Sequence, residues 1–274
     1  MAETNGIVLP TTIRKATKKN IQNMILFGKA KSGKTTMCCK LKNSLLIDLE
    51  KGSYFNEGTI IEPPKEYKDN PIYIHWWLKK LAEKIEEENH PYDYVIFDSL
   101  SQIDEWSNII GTAQYMNTNA GQYFNRILDK SGRPMKDDKG KEITIPYTSE
   151  KWESVNDMAG GYGYKNSRKV VVDFVERMKN LGKICTIFIC HLTDKMTAMP
   201  DKTEISVAEL ALTGALSTII PRYVDAVAHI YIEKNKVMIS FKGDEKRIGG
   251  VRSVPHLQNW IAKELNWSEV FLPE

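Results

Sequence analysis

Short apolar runs alternate with amphipathic or polar stretches along most of this chain of 274 residues. Four of the runs have the length of strands buried on both faces, and polar residues follow each of them. They lie at residues 24–27, 44–50, 92–99 and 184–191. Two further strands are predicted at 226–232 and 236–241. This order predicts an α/β fold, with a mostly parallel sheet flanked by helices and a C-terminal antiparallel extension.

The stretches between these strands predict the helices and the loops. Helices are expected at 34–43, 75–88, part of 101–129, the stretch after residue 164, 215–222 and 255–265. In the second of them, the side chains expected to pack inward are Trp76, Leu78, Leu81 and Ile85. Residues 52–74 and 193–213 lack periodicity, so both segments are expected to be irregular.

One domain is expected to span residues 21–265, after a basic lead-in at 1–20 and before a tail at 266–274. A turn-rich, charged insertion near 129–148 predicts a surface hairpin or a flexible loop. The formal net charge of +3 permits a polyanionic partner without requiring one.

The cysteines and the N-terminal residues indicate a compartment. Cys38, Cys39, Cys185 and Cys190 lack the spacing of metal ligands and are expected to be reduced thiols. No signal-peptide pattern and no apolar run of membrane-spanning length is visible. We therefore expect a cytoplasmic protein with no membrane partner.

The first predicted strand leads into a loop of the form G-x-x-x-x-G-K-T, and a predicted helix follows it. Gly28 and Gly33 allow successive backbone N–H groups to turn toward an anion. Lys34 is the candidate catalytic lysine at the β- and γ-phosphates, and Thr35 is a candidate Mg²⁺ ligand. The loop predicts a site for ATP and Mg²⁺ whose residues are Gly28, Lys29, Ala30, Lys31, Ser32, Gly33, Lys34, Thr35 and Thr36.

Polar residues end three other predicted strands, at the edge of the sheet where this loop must lie. Asp98 is the candidate second metal ligand, and a helix-capping aspartate is the alternative. Glu50 is the candidate general base, and Asp48 competes for that role from a deeper position. His191 is the candidate sensor of the γ-phosphate; the alternative is a plain polar strand end.

The order of these motifs resembles that of the RecA-type ATPases. The segments that carry the resemblance are 28–35, 46–50, 95–99 and 188–191. RecA itself has glutamine where this chain has His191. A closer resemblance is to the small RecA-like phage ATPases of the single-strand-annealing and recombination type, the AAA-family phage nucleotide-binding proteins. It rests on three more segments, which are 215–225, the strand that follows at 226–232, and 252–257, and it leaves the insertion out.

The resemblance implies a function and partners. It implies a Mg²⁺-dependent ATP hydrolase, DNA-dependent, that binds single-stranded DNA and assists annealing or recombination in phage DNA metabolism. The compartment would then be the cytoplasm of a bacterial host. It also implies a homo-oligomer, either a ring or a filament, and makes a single-strand-binding protein a candidate partner.

RecA-type proteins bind single strands through two loops, which correspond here to residues 159–165 and 193–213. The candidate DNA-binding residues are Tyr162, Tyr164, Lys165, Arg168 and Lys169 in or after the first loop, and Lys195 and Lys202 in the second. The alternative for each is a solvated side chain, and acidic neighbours weaken the second loop. Such enzymes also take a basic finger from a neighbouring subunit, for which Lys242, Lys246 and Arg247 are candidates; an exposed charged turn is the alternative.

Two other functions use the same phosphate-binding loop. A kinase for a small molecule or a nucleotide would need an arginine-rich lid, and Arg133 is the only arginine of the insertion. A nucleotide-dependent adaptor of a replication or packaging complex would bind ATP without hydrolysing it, and such a protein needs neither Glu50 nor His191.

Overall fold

The computed structural model describes residues 18–67, 70–87, 89–122, 126–144, 154–157, 162–198, 204–244, 247–252, 254–258 and 260–273. Its strands are β1 (Asn23–Gly28), β2 (Ser44–Asp48), β3 (Thr59–Ile61), β4 (Tyr94–Asp98), β5 (Cys185–Ala198), β6 (Glu204–Leu210), β7 (Ala226–Glu233), β8 (Lys236–Ser240), β9 (Gly250–Val251) and β10 (Lys263–Glu264). Its helices are α1 (Lys34–Cys39), α2 (Pro71–Glu87), α3 (Leu100–Met116), α4 (Asn119–Gln122), α5 (Tyr162–Met178), α6 (Leu216–Ile219), α7 (Pro255–Gln258) and α8 (Trp267–Val270).

One sheet organises the chain. β3, β2, β4, β5, β1 and β7 lie side by side in that order and run parallel, and β8 and β10 continue the sheet in antiparallel pairing. Because parallel strands end at the same edge, the loops after β1, β2, β4 and β5 meet there. The predicted fold is confirmed: a mostly parallel α/β sheet flanked by helices, consistent with a P-loop NTPase core, with antiparallel strands at the C-terminal end.

Both faces of the sheet are covered, so its central strands are buried throughout. In β1, Ile25 and Phe27 face the layer formed by α2, α3 and α5, whereas Met24 and Leu26 face α1 and the C-terminal helices. All six residues of β1 are buried. Burial on both faces explains why these strands are continuous apolar runs rather than alternating ones.

The helix predicted at 75–88 begins earlier, at Pro71, and its buried face is rotated. The buried side chains include Ile74, Leu78 and Ile85, as helical spacing requires, but Trp76 is 52% exposed. The inward placement of Trp76 was wrong, because Trp76 lies two residues, about 200° of helical rotation, beyond Ile74. The preceding segment, predicted as irregular, contains the short strand β3.

The segment 193–213 was predicted to be a long loop, and this prediction is wrong. β5 continues to Ala198 and pairs with β6 in an antiparallel hairpin, with Leu192 opposite Leu210. We call the paired segments 192–198 and 204–210 the β5–β6 hairpin. Its side chains are largely polar, so its pattern lacks the apolar alternation that identifies a half-buried strand.

The insertion forms surface β-bridges, with Arg126 opposite Thr144 and Lys136 opposite Glu142. The described part of the predicted insertion, residues 129–144, thus pairs as a hairpin, one of the two forms expected, and residues 145–148 lie outside the described residues. The helix predicted at 255–265 ends at Gln258, and β10 follows it.

Residues of the predicted tail pack against the core. In α8 and just after it, Val270 and Phe271 are buried. The Trp267 indole N–H donates to the Met37 carbonyl oxygen at 2.7 Å, which satisfies a carbonyl of the helix that follows the phosphate-binding loop. That helix, α1, ends at Cys39 rather than at the predicted residue 43.

Candidate nucleotide-binding and catalytic site

The loop between β1 and α1 has the backbone that its glycines predict. Gly33 has φ +88°, in the left-handed region that favours glycine. A Cβ atom on Gly28 would collide with the carbonyl oxygen of Ile230 in the neighbouring strand β7. Both positions therefore require glycine, one for its dihedral angle and the other for the close approach of a second strand.

Side chains that can bind a nucleotide and its metal converge on this loop. Lys34 Nζ donates to the carbonyl oxygens of Gly28 and Lys29, at 3.0 and 2.8 Å. Burial lowers the pKa of Lys34, although nearby Asp98 acts in the opposite direction. The Ser32 hydroxyl is buried and has no partner among the described residues. A lysine, an unsatisfied hydroxyl and a loop of this backbone geometry fit Mg²⁺-ATP.

Asp98 lies beside Thr35, as the metal-site prediction requires. The Thr35 hydroxyl donates to Asp98 Oδ2 at 2.5 Å. Burial raises the pKa of Asp98 to about 6, against the lowering effect of this hydrogen bond. The buried carboxyl group is thus costly to ionise until a cation is present.

We expect Asp98→Asn to stabilise the unliganded protein at about pH 8 while weakening its Mg²⁺-dependent nucleotide binding. The unfolded chain ionises this residue near pH 3.8 and the folded protein near pH 6. Between these values the wild type loses stability as the pH rises, by about 3 kcal/mol at most, and the loss persists above pH 6. Asparagine has no such loss.

Melting temperatures of the two proteins check this expectation. The variant should melt above the wild type at about pH 8, and the difference should shrink at about pH 5. A variant that melts equally far below the wild type at both values would contradict burial as the cause of the raised pKa.

Glu50 forms a pair with His191, across the sheet edge. His191 Nε2 lies 2.9 Å from Glu50 Oε1 and 3.1 Å from Oε2, and the Ser99 hydroxyl donates to Oε1. Burial raises the pKa of Glu50, but the hydrogen bonds from His191 and Ser99 outweigh it and bring that pKa below its ordinary value. The same bond to Glu50 raises the pKa of His191, against its partial burial.

Asp48, the competitor of Glu50, has a different environment. It is buried, and its carboxylate accepts hydrogen bonds from the backbone N–H groups of Glu50, Lys51 and Ser53, at 3.1, 2.7 and 2.9 Å. These bonds hold the turn that carries Glu50. Asp48 therefore positions the glutamate, and Glu50 is the carboxylate that faces His191 and Ser99.

His191 is fixed next to the phosphate-binding loop through its backbone. It lies opposite Gly28 in the register of β5 and β1. Its N–H donates to the Ser101 hydroxyl at 2.9 Å, and its carbonyl oxygen accepts from Ala211 at 2.9 Å. The β5–β6 hairpin begins at the next residue, so a displacement of His191 would act directly on the hairpin.

The first group of predicted DNA-binding residues lies on a helix rather than a loop. α5 begins at Tyr162, so Tyr164, Lys165, Arg168 and Lys169 lie on its first two turns. Tyr164 is 51% exposed, and Lys169 pairs with Asp173. The loop part of this prediction, residues 159–161, lies outside the described residues.

The remaining predicted residues are dispersed. Lys195 projects from the β5–β6 hairpin, 3.8 Å from Glu209, and Lys202 lies outside the described residues. Among the finger candidates, Lys242 is exposed and Lys246 also lies outside the described residues. Arg247 contacts its own chain: its guanidinium pairs with Asp244 at 3.2 Å and lies over the ring of Tyr231.

Sequence reasoning did not find Ser99 and Ser101, although both contact candidate residues. Ser99 caps α3, where its hydroxyl also accepts from the N–H of Gln102 at 3.2 Å. A serine directly after Asp98 is the pattern of a helix N-cap, which is the signal that was available. Its second contact, with Glu50, depends on the pairing of β2 with β4 and is not visible in local sequence.

Comparison with known proteins identifies a family for part of the chain. Residues 20–132 match the family described as the AAA domain, a range that includes the phosphate-binding loop, Glu50 and Asp98 but not His191. No curated protein sequence matches the chain. One similar solved structure is an ATPase from the type III secretion system of pathogenic bacteria, at 14% identity and a TM-score of 0.39. The match covers 78% of this chain, which spans only 52% of that protein.

The fold, the loop geometry and the match over residues 20–132 support an AAA-type nucleotide-binding ATPase domain. Among the described helices, none combines the length and apolarity needed to cross a membrane. The described residues also contain no cluster of three or more His, Cys, Asp or Glu side chains able to hold a metal. A Mg²⁺ ion here would therefore rely on Thr35, Asp98 and the nucleotide itself.

Proposed function

We propose that this protein hydrolyses ATP with Mg²⁺, binds single-stranded DNA and assists annealing or recombination in phage DNA metabolism. The observation that carries the hydrolytic part is the position of Glu50. It lies at the same sheet edge as Lys34 and Asp98, with its carboxylate held between His191 and Ser99. A pure nucleotide-binding adaptor would need no such carboxylate.

Each residue would then have one role. Thr35 and Asp98 would hold the metal, which would supply positive charge near the phosphate oxygens. Lys34 exchanges its two carbonyl partners for phosphate oxygens, and Glu50 accepts a proton from the attacking water. His191, paired with Glu50 before the nucleotide binds, is free to contact the γ-phosphate when that pair opens.

The DNA-binding part rests on the resemblance of the motifs and on the location of the β5–β6 hairpin. The hairpin starts directly after His191. A movement of His191 on loss of the γ-phosphate would therefore displace the hairpin, which is exposed at the surface. The same proposal includes a homo-oligomer, in which a basic side chain of the neighbouring chain completes the ATP site.

The test is the ATPase rate with and without single-stranded DNA. We expect the strand to raise the rate at saturating ATP, because strand binding and the nucleotide state share the hairpin and His191. Double-stranded DNA of the same length is the control. Phosphoryl transfer to a small acceptor would instead identify a kinase, and ATP binding without turnover in either condition would identify an adaptor.

A further inference from the structure

A second cavity lies on the other side of the phosphate-binding loop from Asp98. It has a volume of about 500 Å³, and Lys29, Ser32, Leu192, Asp194, Tyr231 and Arg247 are among its lining residues. We call it the β7 pocket. Its floor is β7, which borders β1 on the side away from β4 and its metal-binding Asp98. The loop residues from Lys29 to Ser32 therefore form a wall shared by two different sites.

The floor of the β7 pocket is a ladder of rings. Phe27 stacks on His229 with ring centroids 5.0 Å apart, and His229 stacks on Tyr231 at 5.1 Å. Burial lowers the pKa of His229 to about 4, helped by the positive charge of Arg247, so this ring is neutral at pH 7. Tyr231 ends the ladder and is only half-buried. The Arg247 guanidinium lies over the Tyr231 ring, so a planar ligand ring that stacks on Tyr231 takes the place of that guanidinium.

The rim of the β7 pocket carries cations in two ion pairs, one exposed and the other partly buried on its arginine side. Lys29 pairs with Asp194 at 3.6 Å, and these side chains are 74% and 53% exposed. Arg247 pairs with Asp244 and lies with its guanidinium carbon 5.6 Å from the Tyr231 ring centroid. Lys31 adds a third cation to the lining. An exposed ion pair such as Lys29–Asp194 contributes little to the free energy of folding. A phosphate can therefore replace the carboxylate as the partner of the cation.

We propose that the β7 pocket binds one nucleotide unit, with its base against Tyr231 and its phosphate against Arg247 and Lys29. The unit is either a residue of a single strand or a free nucleotide, which share this chemistry; the first source rests on the proposed function. The pocket and the ATP site share the loop from Lys29 to Ser32. A ligand in either site therefore restricts the conformations that this loop can adopt in the other site. The pocket thus gives a strand a direct contact with the hydrolytic site.

The experiment measures binding of a fluorescent oligothymidylate by anisotropy across a series of salt concentrations. We expect Tyr231→Ala to weaken binding about tenfold and Tyr231→Phe, which keeps the ring, to leave it unchanged. Arg247→Ala should lower the salt slope by about one, since one phosphate contact is lost. Tyr73→Ala, at a 55% exposed tyrosine of α2, is the matched control and should bind as the wild type does. Melting temperatures establish which variants fold, and Arg247→Ala provides the test if Tyr231→Ala is unfolded.

A second arm identifies a free nucleotide as the source. Equilibrium dialysis with AMP, at saturating non-hydrolysable ATP analogue and Mg²⁺, should then show one bound AMP that Tyr231→Ala and Arg247→Ala remove. Unchanged oligonucleotide and AMP binding in folded Tyr231→Ala and Arg247→Ala overturns the proposal. If the wild type binds AMP there but no oligonucleotide, the single-strand part of the proposed function fails and the pocket stands.

Discussion

Lys34→Ala is expected to reduce ATP hydrolysis by about 10²–10³-fold or more while the protein stays folded. The ammonium group is the cation closest to the loop interior, where it bonds to the carbonyl oxygens of Gly28 and Lys29. In the nucleotide complex it would stabilise the charge that develops on the phosphate oxygens. The alanine variant loses these two bonds, but β1 is held by its strand pairing and its apolar side chains, so the fold should persist.

A steady-state ATPase assay, together with a thermal melt, checks this expectation. Lys40→Ala is the matched control, because Lys40 is an exposed lysine at the other end of α1. Hydrolysis at the wild-type rate in folded Lys34→Ala would show that the loop is not the site of catalysis. A large drop in melting temperature would instead assign Lys34 a structural role.

Glu50→Gln is expected to bind ATP as the wild type does and to lose about 10²–10⁴-fold in turnover. Glutamine has the same shape and can still accept the hydrogen bond from Ser99, so the site remains assembled. It cannot accept a proton from water. Separate measurement of nucleotide affinity and of single-turnover rate distinguishes these two effects.

The pair with His191 supplies a second readout for Glu50→Gln. The carboxylate raises the pKa of His191, so the amide should let that pKa fall, which a titration of the imidazole by NMR detects. Glu57→Gln, on the same loop but fully exposed to solvent, is the matched control for both readouts. Unimpaired turnover in Glu50→Gln would move the base to another residue.

The parts of the site that could be predicted from sequence are those whose position depends only on the parallel direction of the strand that carries them. A buried parallel strand delivers its last residue to one edge of the sheet, so Glu50, Asp98 and His191 could be brought together without knowing the strand order. The loop itself was predictable because Gly28, Gly33 and Lys34 each meet a requirement of backbone or charge.

What could not be predicted depends on long-range pairing or on exposed surface. The contact of Ser99 with Glu50 exists because β2 lies beside β4. The β5–β6 hairpin is held largely by backbone hydrogen bonds, to which its polar sequence gives no guide. Arg247 lies beside the phosphate-binding loop because it packs on Tyr231 of β7, which is near that loop in space. In sequence, Arg247 follows the start of the loop by more than two hundred residues.

The placement of β1 has a consequence for the order in which this molecule assembles during synthesis. The phosphate-binding loop leaves the ribosome well before both neighbours of its strand, β5 and β7. Asn20 and Leu272 then join the two ends of the domain through reciprocal hydrogen bonds at 2.8 and 2.9 Å, 252 positions apart. Such non-local pairing slows folding, so a nascent chain carries the nucleotide-binding motif long before it can bind a nucleotide.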